Sequence, residues 1–369
     1  MTMKSDEAII NALKKVVHPE KGKNIVDLGI VANAYEDQEG INIELISDKQ
    51  KDPFMSSIKS TIVKALKEEF GPDITIAAIN IHTEDAAAPE ANDKDNPLPG
   101  VKNIIAVSSG KGGVGKTTVA VNLAIALALQ GYRVGLLDAD VFGPSVPKML
   151  NAVDYKPQIT QVDGVEKISP LKKYGLKVLS TGFFVGANDA VIWRGPMASG
   201  FLKQLIELGD WGSLDYLLFD LPPGTSDIHL TLVQELAVTG AIVVTTPQEV
   251  ALADAIKGIA MFRSDKINVP VLGLVENMSW FTPAELPNNK YYIFGKGGGE
   301  KLAKELNVPL LGQIPLVQSI CESGDSGVPP ALDINNVGQA FADLAAAVVD
   351  AVEIRNKTQK PSSKVQMNN

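Results

Sequence analysis

The stretch Gly110-Lys-Gly-Gly-Val-Gly-Lys-Thr117 decides the fold of this chain, because it joins an apolar strand-like run to an apolar helical pattern. Strand, glycine-rich loop, Lys-Thr and helix form the order of a phosphate-binding P-loop. Its glycines let backbone N–H groups turn toward phosphate oxygens, and the following helix adds the positive end of its dipole. We therefore predict that Lys116 reaches the β- and γ-phosphates of a nucleotide and that Thr117 binds Mg²⁺.

Carboxylates follow two further apolar runs, where the strand ends of a parallel sheet open into a ligand crevice. Asp138 and Asp140 end one run, and Asp220 ends the other. Carboxylate oxygens suit the shell of Mg²⁺ and can orient a water for attack. We assign Asp138 and Asp220 to the metal shell and Asp140 to the attacking water. Gly224, which follows two prolines, is predicted to offer its N–H to the γ-phosphate.

From residue 101 onward, apolar strands alternate with helical patterns, which predicts an α/β fold with a mostly parallel, doubly wound P-loop sheet. Strands are predicted at 103–108, 133–138, 176–181, 215–220, 241–246, 271–277 and 310–314, and helices at 117–130, 197–208, 227–238, 250–263, 298–306 and 335–353. The run Gly295-Lys-Gly-Gly-Gly299 lacks a closing Lys-Thr and is predicted to be a turn before a helix.

The domain organisation follows from the same pattern. Residues 1–85 are predicted to form a small α/β domain, with strands at 40–46 and 74–81 and helices at 7–17 and 54–70. A linker rich in Ala, Pro and Asp is expected at 86–100, and the nucleotide-binding domain at 101–355. The polar tail 356–369 is expected to be disordered.

Composition excludes several classes of protein. The net charge of −9 disfavours nucleic-acid binding, which needs clustered Lys and Arg. Cys321 is the single cysteine, so an internal disulfide is excluded and a reducing compartment, the cytoplasm, is expected. No signal segment or membrane-spanning run is present, so no membrane association is predicted. The histidines His18, His82 and His229 lack metal-ligand spacing and are expected to be structural.

The lysine directly after the first glycine makes the loop resemble the deviant Walker A group of ATPases, which includes MinD and ParA. In that group this lysine reaches the partner's nucleotide across a dimer. The resemblance implies ATP and Mg²⁺ as cofactors, a homodimer, and catalytic roles for Lys111, Lys116 and Asp140. The implied nucleotide-binding residues are Gly110, Lys111, Gly112, Gly113, Val114, Gly115, Lys116, Thr117, Thr118, Gly224 and Asn277. Asn277 ends a later strand, where the resembled ATPases place an Asn that reads adenine.

Motifs along nearly the whole chain resemble the Mrp/ApbC family of iron–sulfur cluster carriers. They are Asp138-Ala-Asp-Val-Phe-Gly-Pro-Ser145, Trp193-Arg-Gly-Pro-Met197, Asp220-Leu-Pro-Pro-Gly-Thr225, Glu276-Asn-Met-Ser279 and Tyr292-Ile-Phe-Gly-Lys-Gly-Gly-Gly299. In addition, Asn24-Ile-Val-Asp-Leu-Gly-Ile-Val31 resembles part of the small domain of iron–sulfur assembly factors. The resemblance implies slow, ATP-coupled transfer of an Fe–S cluster, with an assembly scaffold and apo-protein clients as partners.

The cluster ligands of that family are missing. Its Cys-x-x-Cys pair, two of which hold a [4Fe–4S] cluster across a dimer, falls near positions 283 and 286, where Pro283 and Leu286 stand. Cys321, expected in a different loop, offers a dimer two thiolates instead of four. The chain therefore either borrows ligands or assists assembly without holding a cluster. A second hypothesis is an ATP-dependent dimerisation switch of the MinD/ParA type that positions a protein partner.

Overall fold

A computed structural model describes most of the chain. The described residues are 6–19, 22–37, 40–47, 54–71, 74–83, 96–162, 164–184, 195–283, 285–286, 289–333 and 335–365. The chain divides into two compact units, Met1–Asn92 and Asp93–Asn369. Their boundary falls within the stretch expected to be a linker, of which residues 86–95 lie outside the described part.

The first unit is a three-stranded sheet with two helices. Its elements are α1 (Asp6–Leu13), β1 (Val31–Asp37), β2 (Gly40–Ser47), α2 (Met55–Phe70) and β3 (Ile76–Thr83). β2 lies between β1, which is antiparallel to it, and β3, which is parallel. Alternate residues of β2 are buried, as a strand with one face on a core requires. The predicted helices and strands of this unit are confirmed, although the first helix ends at Leu13 and not at residue 17, whereas β1 was not predicted.

The second unit is an eight-stranded sheet flanked by helices. Its elements are β4 (Val101–Ser109), α3 (Lys116–Leu129), β5 (Val134–Asp138), α4 (Val146–Met149), β6 (Ile159–Val162), β7 (Val165–Ile168), β8 (Leu171–Lys173), β9 (Leu176–Ser180), α5 (Gly195–Leu208), β10 (Leu214–Asp220), α6 (Asp227–Glu235), β11 (Gly240–Thr245), α7 (Glu249–Arg263), β12 (Val271–Phe281), α8 (Gly298–Glu305), β13 (Leu310–Leu316), α9 (Gln318–Ser326) and α10 (Asn336–Thr358). The strand order of the eight-stranded sheet is β13-β12-β11-β4-β10-β5-β9-β8, and β6 and β7 form a separate antiparallel pair.

The sheet is parallel except for β8, which is antiparallel to β9. Strands β5 and β11 are buried throughout, and β4 and β10 are buried over most of their length, because helices cover both faces. Helices α3 and α10 pack on one face, and α5 to α8 pack on the other. This confirms the predicted doubly wound α/β fold. Within the described residues, we find no helix that is both long and apolar enough to cross a bilayer.

The C-terminal residues differ from the expected disordered tail over 356–365. Helix α10 continues to Thr358, and Val365 packs against the α5–α8 side of the core. The backbone N–H of Val365 donates to the carbonyl of Val233 (2.9 Å), and the guanidinium of Arg355 donates to Ser362 Oγ (2.5 Å). Polar composition suggested disorder here, but one apolar side chain and one arginine attach the segment to the domain.

Candidate functional site

The P-loop connects β4 to α3 in a conformation that only glycine accommodates at its critical positions. Gly115 has a φ of +79°, and a Cβ at this position would lie 2.2 Å from Asn277 Nδ2. At Gly110, a Cβ would lie 2.2 Å from the carbonyl carbon of Asp254, in α7. A side chain at either glycine would therefore displace the loop from α7 or from β12.

A buried cluster of three side chains stands at the start of α3. The ammonium of Lys116 donates to Asp220 Oδ1 (2.5 Å), and the hydroxyl of Thr117 donates to Asp220 Oδ2 (2.7 Å). Lys116 is 6% exposed and Asp220 is fully buried. The three residues meet because β4 and β10 are adjacent parallel strands, so that Asp220 ends its strand beside the loop. The fold therefore brings the P-loop and the second acidic strand end together, and the phosphate and metal roles of these residues stay predictions.

Asp138, which ends β5, lies beside this cluster, in register with Asp220 at the end of the neighbouring strand β10. Its carboxylate accepts from Ser180 Oγ (2.8 Å) and from the N–H of Asp140 (3.2 Å). Burial, together with the negative charge of Asp220, raises the pKa of Asp138 to about 7. Burial also raises the pKa of Asp220, although the charge of Lys116 opposes this shift. Two carboxylates so close in a buried site favour a bound cation.

The oxygen donors at this site fit Mg²⁺. Thr117 and Asp220 offer a hydroxyl and a carboxylate, which are the hard ligands that this ion prefers. In the part of the chain that the structure describes, no group of three or more His, Cys, Asp or Glu side chains could hold a metal. Protein side chains would therefore supply part of the shell, and phosphate oxygens and water the remainder.

The predicted residues Gly224 and Asn277 reach the P-loop, but their donors already have protein partners. The N–H of Gly224 donates to the carbonyl of Ser109 (2.8 Å). The side-chain amide of Asn277 is buried and donates to the carbonyl of Val114 (2.8 Å). A γ-phosphate contact by Gly224 would require its bond to Ser109 to break. The adenine-reading role of Asn277 stays a prediction, and its amide nitrogen supports the loop backbone.

Lys111 and Asp140 are predicted to act in catalysis, and they lie in the P-loop and just after the end of β5, respectively. Both are half-buried. Within the described residues, the ammonium of Lys111 makes no hydrogen bond or ion pair, while its carbonyl accepts from Ser109 Oγ (2.9 Å). The negative charge of Asp140 contributes to the raised pKa of Asp220, and the backbone N–H of Asp140 donates to Asp138 Oδ1 (3.2 Å). Water orientation by Asp140 and a cross-dimer role for Lys111 stay predictions.

The glycine run at 295–299 is a turn before α8, as predicted, and a carboxylate already occupies the start of that helix. Glu276 is buried, and its Oε2 accepts from the N–H of Gly299 (2.5 Å). Its Oε1 accepts from Gln313 Nε2 (2.7 Å). The backbone donors at the start of a helix attract anions, and here Glu276 is that anion. The role of Glu276 was not predicted, because its partners lie more than twenty residues away in the sequence.

His229, expected to be structural, makes contacts that sequence reasoning did not predict. It lies in the first turn of α6, is 1% exposed, and its Nδ1 is 3.2 Å from both the N–H and the Oγ of Ser226. Its Nε2 lies 3.3 Å from Ser108 Oγ, at the end of β4. Burial lowers the pKa of His229 to about 4, so the ring is neutral at physiological pH. The expectation of a structural histidine did not include a partner beside the P-loop.

The neutral state of His229 predicts acid sensitivity. The unfolded chain binds a proton near pH 6.5 and the folded chain near pH 4, so the unfolded state holds more protons between these values. The free energy of unfolding should therefore fall as pH decreases from 6.5 to 4, by roughly 3 kcal/mol at most from this group. His229→Gln, which does not titrate, should flatten this part of the profile in denaturant unfolding between pH 4 and 7. Equal slopes in the two proteins would contradict the prediction.

The structure places no cysteine where the resembled carriers hold a cluster. Pro283 and Leu286 follow β12 in a loop that is closed by two backbone hydrogen bonds between Phe281 and Tyr291 (2.7 and 2.9 Å). Cys321, expected in a loop, lies instead on α9 and is exposed. Four thiolates from this chain and a second copy are therefore not available for a [4Fe–4S] cluster.

Known proteins match both units of the chain. Residues 100–351 match the family model of the NUBPL iron-transfer P-loop NTPase, and residues 6–76 match that of an iron–sulfur cluster assembly protein. An iron–sulfur cluster carrier protein of Escherichia coli K12 is 42% identical over 358 residues, which cover 93% of each chain. An iron–sulfur cluster carrier protein of Synechocystis is 43% identical over 327 residues, which cover 89% of this chain and 91% of that protein.

A solved structure shares the P-loop domain. It is a nucleotide-binding protein of Archaeoglobus fulgidus in complex with ADP, 35% identical to this chain, with a TM-score of 0.56. The match covers 66% of this chain and 94% of that one. Together with the geometry of the loop and its acidic strand ends, these matches show that the chain belongs to the family of NUBPL iron-transfer P-loop NTPases.

Proposed function

We propose that this protein is a homodimeric, Mg²⁺-dependent ATPase of the cytoplasm that acts in the transfer of iron–sulfur clusters to apo-proteins. The observation that carries the proposal is the buried cluster of Lys116, Thr117 and Asp220 at the end of the P-loop. Support for the cluster-transfer role comes from the carrier proteins that match the chain along most of its length. Support for the nucleotide comes from the ADP-bound relative.

The side chains of the site have separable roles in hydrolysis. Lys116 would exchange Asp220 for the β- and γ-phosphate oxygens, so that its charge offsets the charge that develops during transfer. Thr117, Asp138 and Asp220 would hold Mg²⁺, which would neutralise phosphate charge. Asp140 would orient the attacking water, since it is half-buried, follows the end of β5 and donates its backbone N–H to Asp138. Gly224 would turn its N–H from Ser109 toward the γ-phosphate.

Lys111→Ala is expected to remove most ATP hydrolysis, roughly 100-fold in kcat, while ATP still binds. The reason is that Lys111 has no partner among the described residues, so its charge is available to a second copy of the chain. Steady-state hydrolysis and ATP binding by calorimetry measure the two effects separately. Lys257→Ala, which removes an exposed lysine paired with Asp254, is the matched control and should keep the wild-type rate. Hydrolysis by Lys111→Ala at the wild-type rate would refute the cross-dimer role.

The cluster is cargo for which this chain lacks a full set of ligands. One exposed cysteine per chain gives a dimer two thiolates, and a [4Fe–4S] cluster takes four. We therefore infer that transfer uses ligands from glutathione, from a scaffold or from the client protein. The chain's own contribution would be an ATP-driven change in how those partners are held.

Anaerobic reconstitution with iron and sulfide tests this function. Without glutathione we expect no stable cluster in the visible absorption spectrum or in iron counts, because the ligands are too few. In the presence of a loaded scaffold, ATP and this protein should accelerate activation of an apo-enzyme that needs a [4Fe–4S] cluster. Lys116→Ala should not accelerate this activation. Comparison of Cys321→Ser with the wild type shows whether the thiol of Cys321 is needed for cluster transfer. A cluster near one per dimer without added thiol would overturn the borrowed-ligand model.

A second candidate function is an ATP-dependent dimerisation switch that positions a protein partner without touching a cluster. The observation that favours it is the absence of the cysteine pair at Pro283 and Leu286. In this case ATP would drive dimerisation, seen by sedimentation, while cluster delivery would be independent of the protein. The apo-enzyme assay separates the two functions directly.

A further inference from the structure

The end of strand β4 and the segment 220–229 run side by side next to the phosphate site. The strand ladder between them ends where the N–H of Leu221 donates to the carbonyl of Val107 (3.0 Å). In addition to that ladder, three residues of the segment contact the P-loop and its strand. Asp220 contacts the start of α3, Gly224 contacts Ser109, and His229 contacts Ser108.

The contact between His229 and Ser108 has a defined direction. The backbone N–H of Ser226 donates to Nδ1 of the ring, so Nδ1 carries no proton in the neutral imidazole. Nε2 must then carry the proton, and it donates to Ser108 Oγ. Ser108 is itself 1% exposed, so water does not compete for this bond. The histidine therefore links the start of α6 to the strand that leads into the P-loop.

The contact between His229 and Ser108 differs from the other two, because its groups are not expected to bind the nucleotide. Binding of phosphates would draw Lys116 from Asp220, and a γ-phosphate would draw the N–H of Gly224 from Ser109. His229 and Ser108 lie outside the predicted phosphate contacts. Their bond would persist while the other two are exchanged, and it would fix the far end of the segment that carries Asp220 and Gly224.

We propose that His229 is a positioning residue for ATP hydrolysis, which holds the segment 220–229 in register with the P-loop strand through the hydroxyl of Ser108. The proposal rests on the ATPase function proposed above and deepens it. Misplacement of reacting groups by about 1 Å can cost two orders of magnitude in rate. A bond that fixes one end of the segment should therefore affect the hydrolytic step more than it affects the affinity for ATP.

A double-mutant cycle on the purified full chain tests the proposal. His229→Phe and Ser108→Ala are each expected to lower kcat for ATP about tenfold and to leave the Kd for ATP within about twofold. Because both remove the same bond, the double variant should be no slower than the slower single variant. His229→Gln offers an acceptor and a donor in place of the ring nitrogens, and it should recover most of kcat.

The controls separate positioning from stability. Thr231→Ala, on the same helix, removes a hydroxyl that donates to the carbonyl of Asp227 and lies 2.9 Å from Ser199 Oγ, and it should keep the wild-type kcat. Thermal unfolding is measured for every variant. Additive losses in the double variant, no recovery in His229→Gln, or a loss that follows Kd or Tm alone would overturn the proposal. An unchanged kcat in His229→Phe would overturn this inference and leave the proposed function intact. If the wild-type protein does not hydrolyse ATP, the proposed function is wrong, and this inference falls with it.

Discussion

Lys116→Ala should abolish ATP hydrolysis, with a loss of at least about 100-fold in kcat, and should weaken ATP binding as well. Among the residues that the structure describes, the Lys116 ammonium is the one cation that forms an ion pair with Asp220. Removing it leaves a carboxylate without a counter-charge, and breaking a buried pair costs about 3–5 kcal/mol where the remaining group stays ionised. Since burial already raises the pKa of Asp220, protonation of that carboxyl would reduce this cost.

Hydrolysis, ATP binding and thermal unfolding should be measured together on this variant. Lys203→Ala is a suitable control, because it removes a lysine that is about half exposed and pairs with Glu235 on the surface, where ion pairs contribute less than about 1 kcal/mol. Lys116→Arg keeps the charge but not the compact ammonium, and should preserve stability better than activity. Hydrolysis by a folded Lys116→Ala at more than a tenth of the wild-type rate would refute the role of this lysine.

Gly115→Ala should weaken ATP binding by roughly 100-fold, or about 3 kcal/mol. An L residue at a φ of +79° is strained by about 1–2 kcal/mol, and its Cβ would overlap the amide of Asn277. The loop can relieve the overlap by moving away from β12. That movement would break the bond from Asn277 to the carbonyl of Val114 and would turn the loop N–H groups away from the phosphates. Calorimetric titration with ATP measures the loss.

The matched control is Gly200→Ala in helix α5, where an added Cβ meets nothing within 4 Å. Alanine is favoured over glycine inside helices by up to about 1 kcal/mol, so this variant should be as stable as the wild type or more so, with unchanged ATP binding. The two variants make the same chemical change in different surroundings. If Gly115→Ala binds ATP as Gly200→Ala does, the close fit of the loop against Asn277 does not matter for binding.

The local pattern of the chain was sufficient to predict the P-loop, the parallel sheet and the acidic strand ends. These features depend on neighbours in sequence: the glycines lie next to the lysine and threonine they serve, and each aspartate ends the apolar run that forms its strand. Because parallel strands place their carboxyl ends at one edge, the meeting of Lys116, Thr117 and Asp220 could be predicted without coordinates. The absence of the cysteine pair could also be read from the sequence, because it depends only on which residues stand at positions 283 and 286.

Contacts between distant residues were decided by tertiary structure alone. The bond between His229 and Ser108 joins positions 121 apart, and the bond from Asn277 to Val114 joins positions 163 apart. Neither pair has a local signal, because the side chains are brought together by the order of strands in the sheet. The attachment of the tail through Val365 has the same cause. Periodicity in a sequence indicates which face of a helix or strand is buried. Which polar partner a buried side chain contacts is determined only by the folded chain.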